Sequence, residues 1–444
     1  MTKILISIVW FLVFTKLFIF WVWLWQLKEY HGGRFMAHFE TQVLRKIFFS
    51  FHGIRYPKLT KKIVLVLAFG IILEIAFLFL VFNSPTYVLH LIRLIILAPI
   101  FASILILLFQ IPAGILIKRT LKKAKDKREQ FKNLTVIGIT GSYGKSSTKE
   151  FLATILSEKY NVLKTKGNIN AEIGIAQTIL NELNPEHQVF IAEVGAYKRG
   201  KIKQVCEMLQ PRIGILTGIN EQHLSTFGSL ENIRKAKYEL IEALPKDGTA
   251  IIKDKLDIQA EDIRVEKDHL LFRIESNDFK VNLLGKHNIQ NILLAVSCAK
   301  KLGMSLEDIS RACLKIKPGQ GGMKFLEKDG LTILDASYSA NPDGVIADLD
   351  YLQIYSGSKI IIMPCLIELG KASKQIHERI GQKIAEICDL AIITTKDYFK
   401  EIKGENKKVL LVENPEDIIA KVREFSNQET IILLEGRVPH LIWD

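Results

Sequence analysis

A chain of 444 residues with a formal net charge of +13 at pH 7 is long enough for two or three domains. The charge is uneven, because residues 1–133 carry 19 basic and 5 acidic side chains while residues 134–444 are close to neutral. The basic residues flank long apolar runs, which favours a membrane surface and argues against nucleic acid as their partner. The five cysteines are scattered without a CxxC pair, which argues against a disulfide framework or a zinc site and indicates reduced thiols in a cytosolic compartment.

Three apolar stretches predict an α-helical transmembrane region in residues 1–133, followed within that range by a basic linker. They cover about 4–25, 63–82 and 95–117. The third is predicted as one kinked span, with two re-entrant pieces as the alternative. The first is too long for a signal peptide and has no small-residue cleavage site after it. Glu74 is the only charge of the second, and two interpretations remain open: a partner in the protein or at a lipid headgroup, or a snorkelling side chain.

The loops around these stretches predict their orientation. Residues 27–62 and 118–132 are rich in Lys and Arg, whereas the link at 83–92 has neither. Because basic loops stay in the cytoplasm, the N-terminus is predicted outside and everything after residue 118 inside. The segment 36–51, apolar and basic at helical spacing, is predicted to lie in the membrane interface.

From residue 134 onward, apolar β-type runs alternate with helical patterns, which predicts an α/β fold of parallel sheets covered by helices. A segment rich in Pro and Gly at 315–322 predicts the boundary between a central domain, 134–318, and a C-terminal domain, 319–444. The second sheet is predicted to start near Leu331. The predicted strands are 134–140, 189–194, 212–217, 250–253, 331–336, 359–364, 391–395 and 430–434.

The turn after the first of these strands has the features of a phosphate site. Thr140-Gly-Ser-Tyr-Gly-Lys-Ser146 joins the strand to a helical pattern that runs to about Tyr160. Backbone N–H groups and the helix dipole favour a phosphate there, Lys145 can reach the outer phosphates, and Ser146 can place its hydroxyl on Mg²⁺. The usual P-loop has Gly where this chain has Ile139, so the turn is a variant.

Two strand ends near this turn carry candidate metal ligands. Glu193 stands at the end of a strand, where a carboxylate can hold Mg²⁺ directly or through water. His223 follows the next strand, and a shared metal site and an ordinary structural histidine are equal alternatives. By spacing alone, Lys237 would be a surface lysine of a helix.

Two further segments carry polar side chains with alternative interpretations. Asn288 and Asn291 precede a helix, and the pattern favours helix capping over contact with a base edge. Asp335 and Asn341 follow a strand of the second sheet, at an edge where ligands bind; an ordinary Asn-Pro turn is the alternative.

Taken together, these motifs resemble the Mur ligase family, most of all its branch that adds D-alanyl-D-alanine. The resemblance covers about 134–444. The matching motifs, in the order of the family, are Thr140-Gly-Ser-Tyr-Gly-Lys-Ser-Ser147, Lys166-Gly-Asn-Ile-Asn-Ala-Glu-Ile-Gly174, Glu193-Val-Gly195, Asn220-Glu-Gln-His-Leu-Ser-Thr-Phe-Gly-Ser229, Ala236-Lys-Tyr-Glu239, Gly285-Lys-His-Asn-Ile-Gln-Asn291, Ser337-Tyr-Ser-Ala-Asn-Pro342, and Ile367-Glu-Leu-Gly370 with His377.

The resemblance implies a P-loop central Mur ligase domain that binds ATP and Mg²⁺, and a C-terminal Rossmann-like domain that closes over it. It also implies the reaction. A substrate carboxylate attacks the γ-phosphate of ATP to give an acyl phosphate, and an incoming amine displaces phosphate to form an amide. Such chemistry depends on phosphate clamping and metal charge more than on a protein nucleophile.

The resemblance also implies roles for single residues. Lys145, Lys237 and His223 are the catalytic candidates, and Lys237 matches a lysine that is carbamylated in several relatives. Ser146, Glu193 and His223 would hold Mg²⁺. The implied nucleotide contacts are Thr140, Gly141, Ser142, Tyr143, Gly144, Lys145, Ser146, Ser147, Asn291 and Asp335. The implied substrate side consists of Asn168, Asn170, Tyr338 and Asn341.

The chain departs from the family pattern mainly in the C-terminal domain. Gly321-Gly-Met323 lacks the Arg of the family's Gly-Arg-Met, and Lys324 is not equivalent to Arg at a forked contact. Asp335-Ala336 keeps one of two Asp, and Glu435-Gly-Arg437 replaces Lys-Gly-Ser. The apolar spans stand where soluble members carry a UDP-sugar domain. The carboxylate substrate is therefore predicted to be lipid-linked or delivered by a partner.

The leading hypothesis is a membrane-anchored, ATP-dependent amide ligase of cell-wall peptidoglycan precursor synthesis, located in the cell membrane with its catalytic part in the cytoplasm. Its expected partners are a peptide or lipid-linked precursor, an amino acid or dipeptide, membrane lipids and other cell-wall synthesis proteins. A poly-γ-glutamate or folylpolyglutamate synthase-like ligase is the first alternative. A non-catalytic, nucleotide-binding membrane scaffold of the cell-wall machinery is the second.

Overall fold

A computed structural model describes residues 1–28, 30, 32, 35, 56–317, 322–328, 330–337, 340–427 and 429–438 of the chain. These residues form two compact units, Met1–Arg119 and Thr120–Asp444. Three predictions lie outside the described residues: the interfacial segment 36–51, the domain boundary between residues 318 and 319, and the substrate-side residue Tyr338.

The first unit is helical. Its helices are α1 (Thr2–Leu27), α2 (Lys61–Val81) and most of α3 (Tyr87–Glu129), which continues past Arg119 into the second unit. Each is long and apolar enough to cross a membrane, as the sequence predicted. The third is a single helix despite Pro99 and Pro112 within it, rather than two re-entrant pieces. It begins earlier than predicted and continues through the basic segment, which is therefore a helical extension.

Close packing between α1 and α2 depends on a small residue. A Cβ atom at Gly70 would lie 2.3 Å from the ring of Phe18, which is fully buried. Beside this contact, Thr15 Oγ1 donates a hydrogen bond of 2.7 Å to Glu74 Oε2. Glu74 is buried, so its carboxyl group lies inside the protein rather than snorkelling. Many large apolar side chains on the outside of this unit, Ile72 and Phe79 among them, are exposed.

The central part of the second unit is a parallel sheet. Its strands are β1 (Thr135–Thr140), β2 (Val162–Lys164), β3 (Val189–Glu193), β4 (Ile213–Leu216) and β5 (Thr249–Ile252), in the order β2-β3-β1-β4-β5. The helices of this part are α4 (Lys145–Leu156), α5 (Glu172–Glu182), α6 (Lys201–Leu209), α7 (Leu224–Phe227), α8 (Leu230–Glu242), α9 (Asn288–Lys301) and α10 (Leu306–Cys313). Strand β1 is central and almost entirely buried, because it is apolar on both faces.

A small antiparallel sheet follows β5, and the sequence analysis did not predict it. Its strands are β6 (Glu261–Val265), β7 (Leu270–Ile274) and β8 (Asn277–Val281). The β7–β8 turn has Glu275 at a positive φ of 53°, a position where hairpins usually carry Gly or Asn. The usual hairpin signal is therefore missing from the sequence.

The C-terminal part is a second sheet with one antiparallel edge. Its strands are β9 (Lys324–Lys328), β10 (Leu331–Ala336), β11 (Lys359–Met363), β12 (Leu390–Ile393), β13 (Val409–Leu411) and β14 (Ile431–Glu435), in the order β13-β12-β11-β14-β10-β9. Its helices are α11 (Pro342–Leu352), α12 (Ser373–Ile387), α13 (Phe399–Lys403) and α14 (Pro415–Phe425). All eight predicted strands are present, but this sheet starts at Lys324 rather than near Leu331. Strand β9 was missed because it is short, exposed and charged at both ends.

The two parts meet through segments that follow the carboxyl ends of their strands. Asn220, after β4, donates from Nδ2 to Asn341 Oδ1 over 3.1 Å, and Asn341 lies between β10 and α11. His223 lies 2.6 Å from Glu368, which follows β11. The ligand-binding edges of the two parallel sheets therefore face each other.

Candidate active site

The glycine turn after β1 has a backbone that only glycine allows. Gly141 and Gly144 have φ of 153° and 77°. A Cβ atom at Gly141 would lie 1.9 Å from Thr217 Oγ1, and one at Gly144 would lie 2.4 Å from Asn291 Oδ1. Thr217 Oγ1 also donates to the carbonyl of Tyr143 over 2.5 Å, which ties the turn to the end of β4. The turn is thus held open at the N-terminus of α4 in a shape suited to phosphate.

Lys145, the first residue of α4, bends back over the turn. Its Nζ donates to the carbonyl oxygens of Gly141 and Ser142 over 2.9 and 3.0 Å. Burial lowers the pKa of Lys145, and the nearby charge of Glu193 partly offsets this shift. The ammonium group therefore lies at the mouth of the turn, where an outer phosphate would be bound.

Glu193, the last residue of β3, accepts hydrogen bonds from several elements. Ser146 Oγ donates to its Oε2 over 2.8 Å, and Asn170 Nδ2 donates to its Oε1 over 3.1 Å. Its backbone N–H donates to Thr165 Oγ1. The carboxylate is 1% exposed, and these contacts fix its orientation toward the start of α4. Ser146 and Glu193, both predicted metal ligands, are thus in direct contact.

Lys149 is a residue of this site that the sequence analysis missed. Its Nζ lies 3.4 Å from Glu193 Oε2 and 3.5 Å from Glu150 Oε1, and it also donates to the carbonyl of Gly167. The side chain is fully buried. A signal was available, because position 149 is three residues after Ser146 on the same helix and shares its face.

His223 lies near Lys145 and Lys237 but makes its side-chain hydrogen bond with the C-terminal domain. Its Nδ1 lies 2.6 Å from Glu368 Oε2, and its ring packs edge-on against Tyr197 at 4.8 Å. Burial lowers the pKa of His223, and the hydrogen bond to Glu368 acts in the opposite direction. The described residues contain no group of three or more His, Cys, Asp and Glu that could hold a metal. A metal bound here would therefore also need hydroxyl, water or phosphate oxygens.

Lys237 is buried, which corrects the expectation of a surface lysine. It is 3% exposed, and burial together with the charge of Lys145 lowers its pKa to about 7. Its Nζ lies 5.9 Å from the ring centre of Phe227. The buried stripe of α8 includes Ile233, Lys237 and Leu240, so helical periodicity could have indicated the burial.

The capping prediction for Asn288 and Asn291 is wrong. Helix α9 has no side-chain cap, and Asn288 Nδ2 donates to the carbonyl of Leu284 over 2.8 Å. Asn291 lies inside the helix, with its amide beside Gly144. The helix starts earlier than predicted, which moves Asn291 into its first turn and toward the glycine turn.

The remaining predicted residues occupy different positions. Asn341 caps α11 by accepting from the N–H of Gly344 over 3.2 Å, as an Asn-Pro turn would, and it also contacts Asn220. Asp335 Oδ1 accepts from the N–H of Ser337 over 2.9 Å. Three further placements complete the set: Thr140 is buried and donates to Val194, Ser147 is the third residue of α4, and Asn168 is exposed on the turn before Asn170.

Glu435, at the place of the family's Lys, is buried at the end of β14. It is hydrogen-bonded to Asp348 of α11, and burial raises the pKa of both carboxyl groups. His287 Nδ1 lies 3.6 Å from Asp348 Oδ1. That nitrogen, Asp348 Oδ1 and Glu435 Oε1 have no hydrogen-bond partner among the described residues. The departure from the family motif thus creates a buried acidic pair beside a histidine.

All five cysteines are buried, and none forms a disulfide. None lies in the site, and burial raises the pKa of the thiol of Cys206 to about 12. The site therefore carries no reactive thiol among these residues.

The fold and the site define a class of protein: a two-part α/β protein with a P-loop-type turn and a buried carboxylate at facing sheet edges. Comparison with known families agrees. Residues 139–270 match the family model of the Mur ligase middle domain, and residues 323–438 match that of the Mur ligase glutamate ligase domain. Together they cover more than half of the chain, which belongs to the Mur ligase family.

Curated relatives and solved structures give the same result. The chain is 29% identical over 276 residues to the UDP-N-acetylmuramoyl-tripeptide–D-alanyl-D-alanine ligase of Bacillus subtilis, covering 56% of this chain and 60% of the relative. The corresponding Escherichia coli ligase is 30% identical, with 56% and 61% covered. The chain thus spans about three fifths of the length of these relatives.

Among solved structures, MurF from Acinetobacter baumannii is 27% identical with a TM-score of 0.68, covering 73% of this chain and 78% of that one. The MurF ligase of Thermotoga maritima in complex with ADP is 25% identical with a TM-score of 0.66, covering 73% and 81%. The fold predicted from the sequence is therefore confirmed.

Proposed function

We propose that this protein is a membrane-anchored, ATP-dependent ligase that forms an amide bond on a peptidoglycan precursor through an acyl phosphate. The observation that carries the proposal is the contact between Ser146 and Glu193 beside the open glycine turn. It joins a phosphate-binding turn to a buried carboxylate, directly opposite segments of the C-terminal domain. Family membership and the names of the relatives support the substrate class.

In the proposed reaction, the N–H groups of the glycine turn and the N-terminus of α4 hold the phosphates of ATP. Lys145 moves from the carbonyl oxygens of Gly141 and Ser142 to the transferring phosphoryl group and stabilises its charge. Asn291, beside Gly144, is placed to contact the nucleotide. Asp335 would approach the nucleotide from the C-terminal domain.

The buried oxygens near Lys145 suit Mg²⁺. Ser146 and Glu193 supply a hydroxyl and a carboxylate, the hard ligands that this ion prefers, and His223 would complete the protein ligands. Lys149 lies against Glu193 and compensates its charge within the buried site. When bound, Mg²⁺ would neutralise charge on the phosphates. The protein residues fix the orientation of the ligands and keep water away from the carboxylate.

Lys237 is proposed to carry a carbamate, as its counterpart does in several relatives. Burial and the charge of Lys145 lower its pKa to about 7, so an appreciable share of the amine is neutral near pH 7. Only the neutral amine can add to carbon dioxide. The resulting anion would relieve the repulsion between Lys237 and Lys145.

On the acceptor side, Asn170 and Asn341 approach the site from opposite domains, and Asn168 and Tyr338 belong to the same motifs. The curated relatives are named for a UDP-N-acetylmuramoyl-tripeptide and D-alanyl-D-alanine. We propose that the substrates of this protein belong to the same two classes, a muramoyl peptide and a dipeptide amine. Because three apolar helices precede the catalytic part, the carboxylate substrate is proposed to be lipid-linked or delivered by a partner at the cytoplasmic face.

Phosphate release by the detergent-solubilised protein tests the proposal. Release is expected only with ATP, Mg²⁺, a tripeptide precursor (nucleotide-linked or lipid-linked) and D-alanyl-D-alanine together. Lys145→Ala is expected to abolish it. Release with glutamate instead would favour a polyglutamate synthase. Nucleotide binding without release under any pairing would favour a scaffold, and normal product formation by Lys145→Ala would contradict the assigned mechanism.

A further inference from the structure

We propose that Glu368 of the C-terminal domain is a positioning residue for His223, so that metal binding depends on docking of that domain. This inference rests on the proposed function, in which His223 holds Mg²⁺. Glu368 belongs to the motif Ile367-Glu-Leu-Gly370, and the proposed reaction gives its carboxylate no role.

The central observation is a hydrogen bond between the two domains. His223 Nδ1 lies 2.6 Å from Glu368 Oε2, and the Glu368 side chain is only 7% exposed. A carboxylate can only accept, so Nδ1–H of the ring donates to Glu368 and Nε2 is left as the nitrogen that can bind a metal. Metal-binding histidines commonly donate their second ring nitrogen to a carboxylate, which fixes the tautomer and raises the basicity of the ligand nitrogen.

Both partners have an unfavourable backbone conformation. His223 has φ of 66° and Glu368 has φ of 65°, in the left-handed region that non-glycine residues rarely adopt. Two such residues face each other across one interface. Such conformations are unfavourable and persist where the surroundings fix them, often at functional sites. The imidazole and the carboxylate thus meet from two backbone positions of this kind.

The surrounding backbone holds this contact in register. The N–H of Ser225, two residues after His223, donates to the carbonyl of Glu368 over 3.2 Å. Gly370 packs so closely on the same residue that a Cβ atom would lie 3.3 Å from the Cα of Ser225. The segments around His223 and Glu368 therefore dock through main chain as well as side chains.

His377, which the sequence analysis noted only as part of a motif, supports the Glu368 segment. Its Nε2 accepts from the N–H of Leu366 over 2.9 Å, and its Nδ1 donates to the carbonyl of Ser373 over 2.6 Å. The ring stacks on Tyr398 at 4.6 Å. With no exposed surface, His377 is a structural residue that fixes the start of the segment carrying Glu368.

Binding of Mn²⁺ to the full-length protein, measured by electron paramagnetic resonance with a non-hydrolysable ATP analogue, tests the inference without relying on activity. Glu368→Ala is expected to weaken Mn²⁺ binding by about 10–100-fold, the usual cost of losing such a carboxylate partner. Glu368→Gln keeps an acceptor oxygen but loses the charge, so a smaller loss is expected.

Asp343→Ala is the matched control. Asp343 Oδ2 accepts from Asn220 Nδ2 over 3.0 Å, which is also a contact between the domains but one that does not touch His223. Mn²⁺ affinity is expected to stay within about twofold of the wild type. An equal loss in Asp343→Ala and Glu368→Ala would overturn the positioning role of Glu368, because any weakening of the interface would then suffice.

Two further results would also decide the question. Wild-type Mn²⁺ affinity in Glu368→Ala overturns the inference; if that variant does not fold, wild-type affinity in Glu368→Gln does so instead. His223→Ala separates this inference from the proposed metal site. If His223→Ala binds Mn²⁺ as tightly as the wild type, His223 is not a ligand, and both the proposed metal site and the role of Glu368 are overturned. If His223→Ala loses affinity but the Glu368 variants do not, only the role of Glu368 is overturned. The ligase reaction itself is tested independently by phosphate release.

Discussion

At the scale of single residues, charge compensation explains how a fully buried lysine is tolerated beside the glycine turn. Lys149 faces Glu193 and Glu150 and donates to the carbonyl of Gly167. Removing one member of a buried ion pair is costly because the remaining charge stays desolvated. Lys149 therefore stabilises the carboxylate on which the proposed metal site depends.

Lys149→Met is expected to lower the stability of the protein by about 3 kcal/mol, because Glu193 would keep hydrogen bonds but lose its buried counter-charge. The thermal unfolding midpoint of the detergent-solubilised protein measures the effect. Lys166→Met is the control, since that lysine is largely exposed and pairs with Glu182 at the surface; a change within about 0.5 kcal/mol is expected there. Equal midpoints for the two variants would contradict the role of Lys149.

The acidic pair Glu435–Asp348 predicts a pH effect of defined sign. Burial raises the pKa of Glu435 well above its ordinary value near 4.5. The folded protein therefore holds this proton at pH values where the unfolded chain releases it. The contribution of Glu435 is most favourable below about pH 4.5 and decreases as the pH rises through the folded-state pKa.

Glu435→Gln removes this ionisation, so the variant is expected to be more stable than the wild type at pH 8 and equal to it near pH 4. Unfolding midpoints across this range measure the difference. Glu424→Gln, at an exposed position of α14, should follow the wild type throughout. A constant offset between Glu435→Gln and the wild type at every pH would contradict the assignment.

At the scale of elements, the glycine turn depends on one close approach between helices. Gly144 ends the turn against Asn291 of α9, and its φ is positive. The packing of α9 on α4 therefore contributes directly to the shape of the phosphate site. Neither residue type alone indicates this contact.

Gly144→Ala is expected to abolish binding of an ATP analogue, because the methyl group would displace Asn291 and distort the turn. Gly167→Ala is the matched control, since Gly167 also has a positive φ, 50°, but nothing lies within 4 Å of the added Cβ. Both variants carry the left-handed strain of roughly 1–2 kcal/mol, and only the first has the clash. Fluorescence titration with a labelled nucleotide compares them; equal binding by both would show that the contact with Asn291 does not matter.

The sequence predicted elements with strong local signals and failed where tertiary packing decides. Each strand of the two parallel sheets that was predicted is present, since continuous apolar runs need burial on both faces. Lys237 was expected at the surface and Asn291 at a helix cap, because a charged residue and an Asn carry those preferences locally. Helical periodicity could have indicated the burial of Lys237. The position of Asn291 depends on which helix faces the glycine turn, and local spacing does not contain that information.

At the scale of the whole molecule, the long apolar helices predict that the protein is anchored in a membrane. Helices α1, α2 and α3 each have the length and composition of a membrane span. Many of their exposed side chains are large and apolar, and contact of such a surface with water is energetically unfavourable. We therefore expect the protein to remain in the membrane fraction after alkaline carbonate extraction, and release into the supernatant would contradict the anchor.

The orientation can be tested with single cysteines, because all five native cysteines are buried. Ser84→Cys, in the link between α2 and α3, is expected to react with an impermeant maleimide in intact cells. Lys58→Cys, before α2, should react only after lysis. These outcomes follow from the basic loops that stay in the cytoplasm. The opposite labelling pattern would reverse the predicted topology.

Strand order has a consequence for how the nucleotide site tolerates an unusual sequence. In the order β2-β3-β1-β4-β5, the connections on the two sides of β1 diverge, which leaves a crevice beyond its carboxyl end. The phosphate site at this crevice is formed by the course of the backbone and by its N–H groups. Ile139 lies within β1, and its side chain is buried in the core rather than in the glycine turn that forms the phosphate site. Substitution at Gly141 and Gly144 should therefore be restricted by backbone shape, whereas Lys145 and Ser146 act through their side chains.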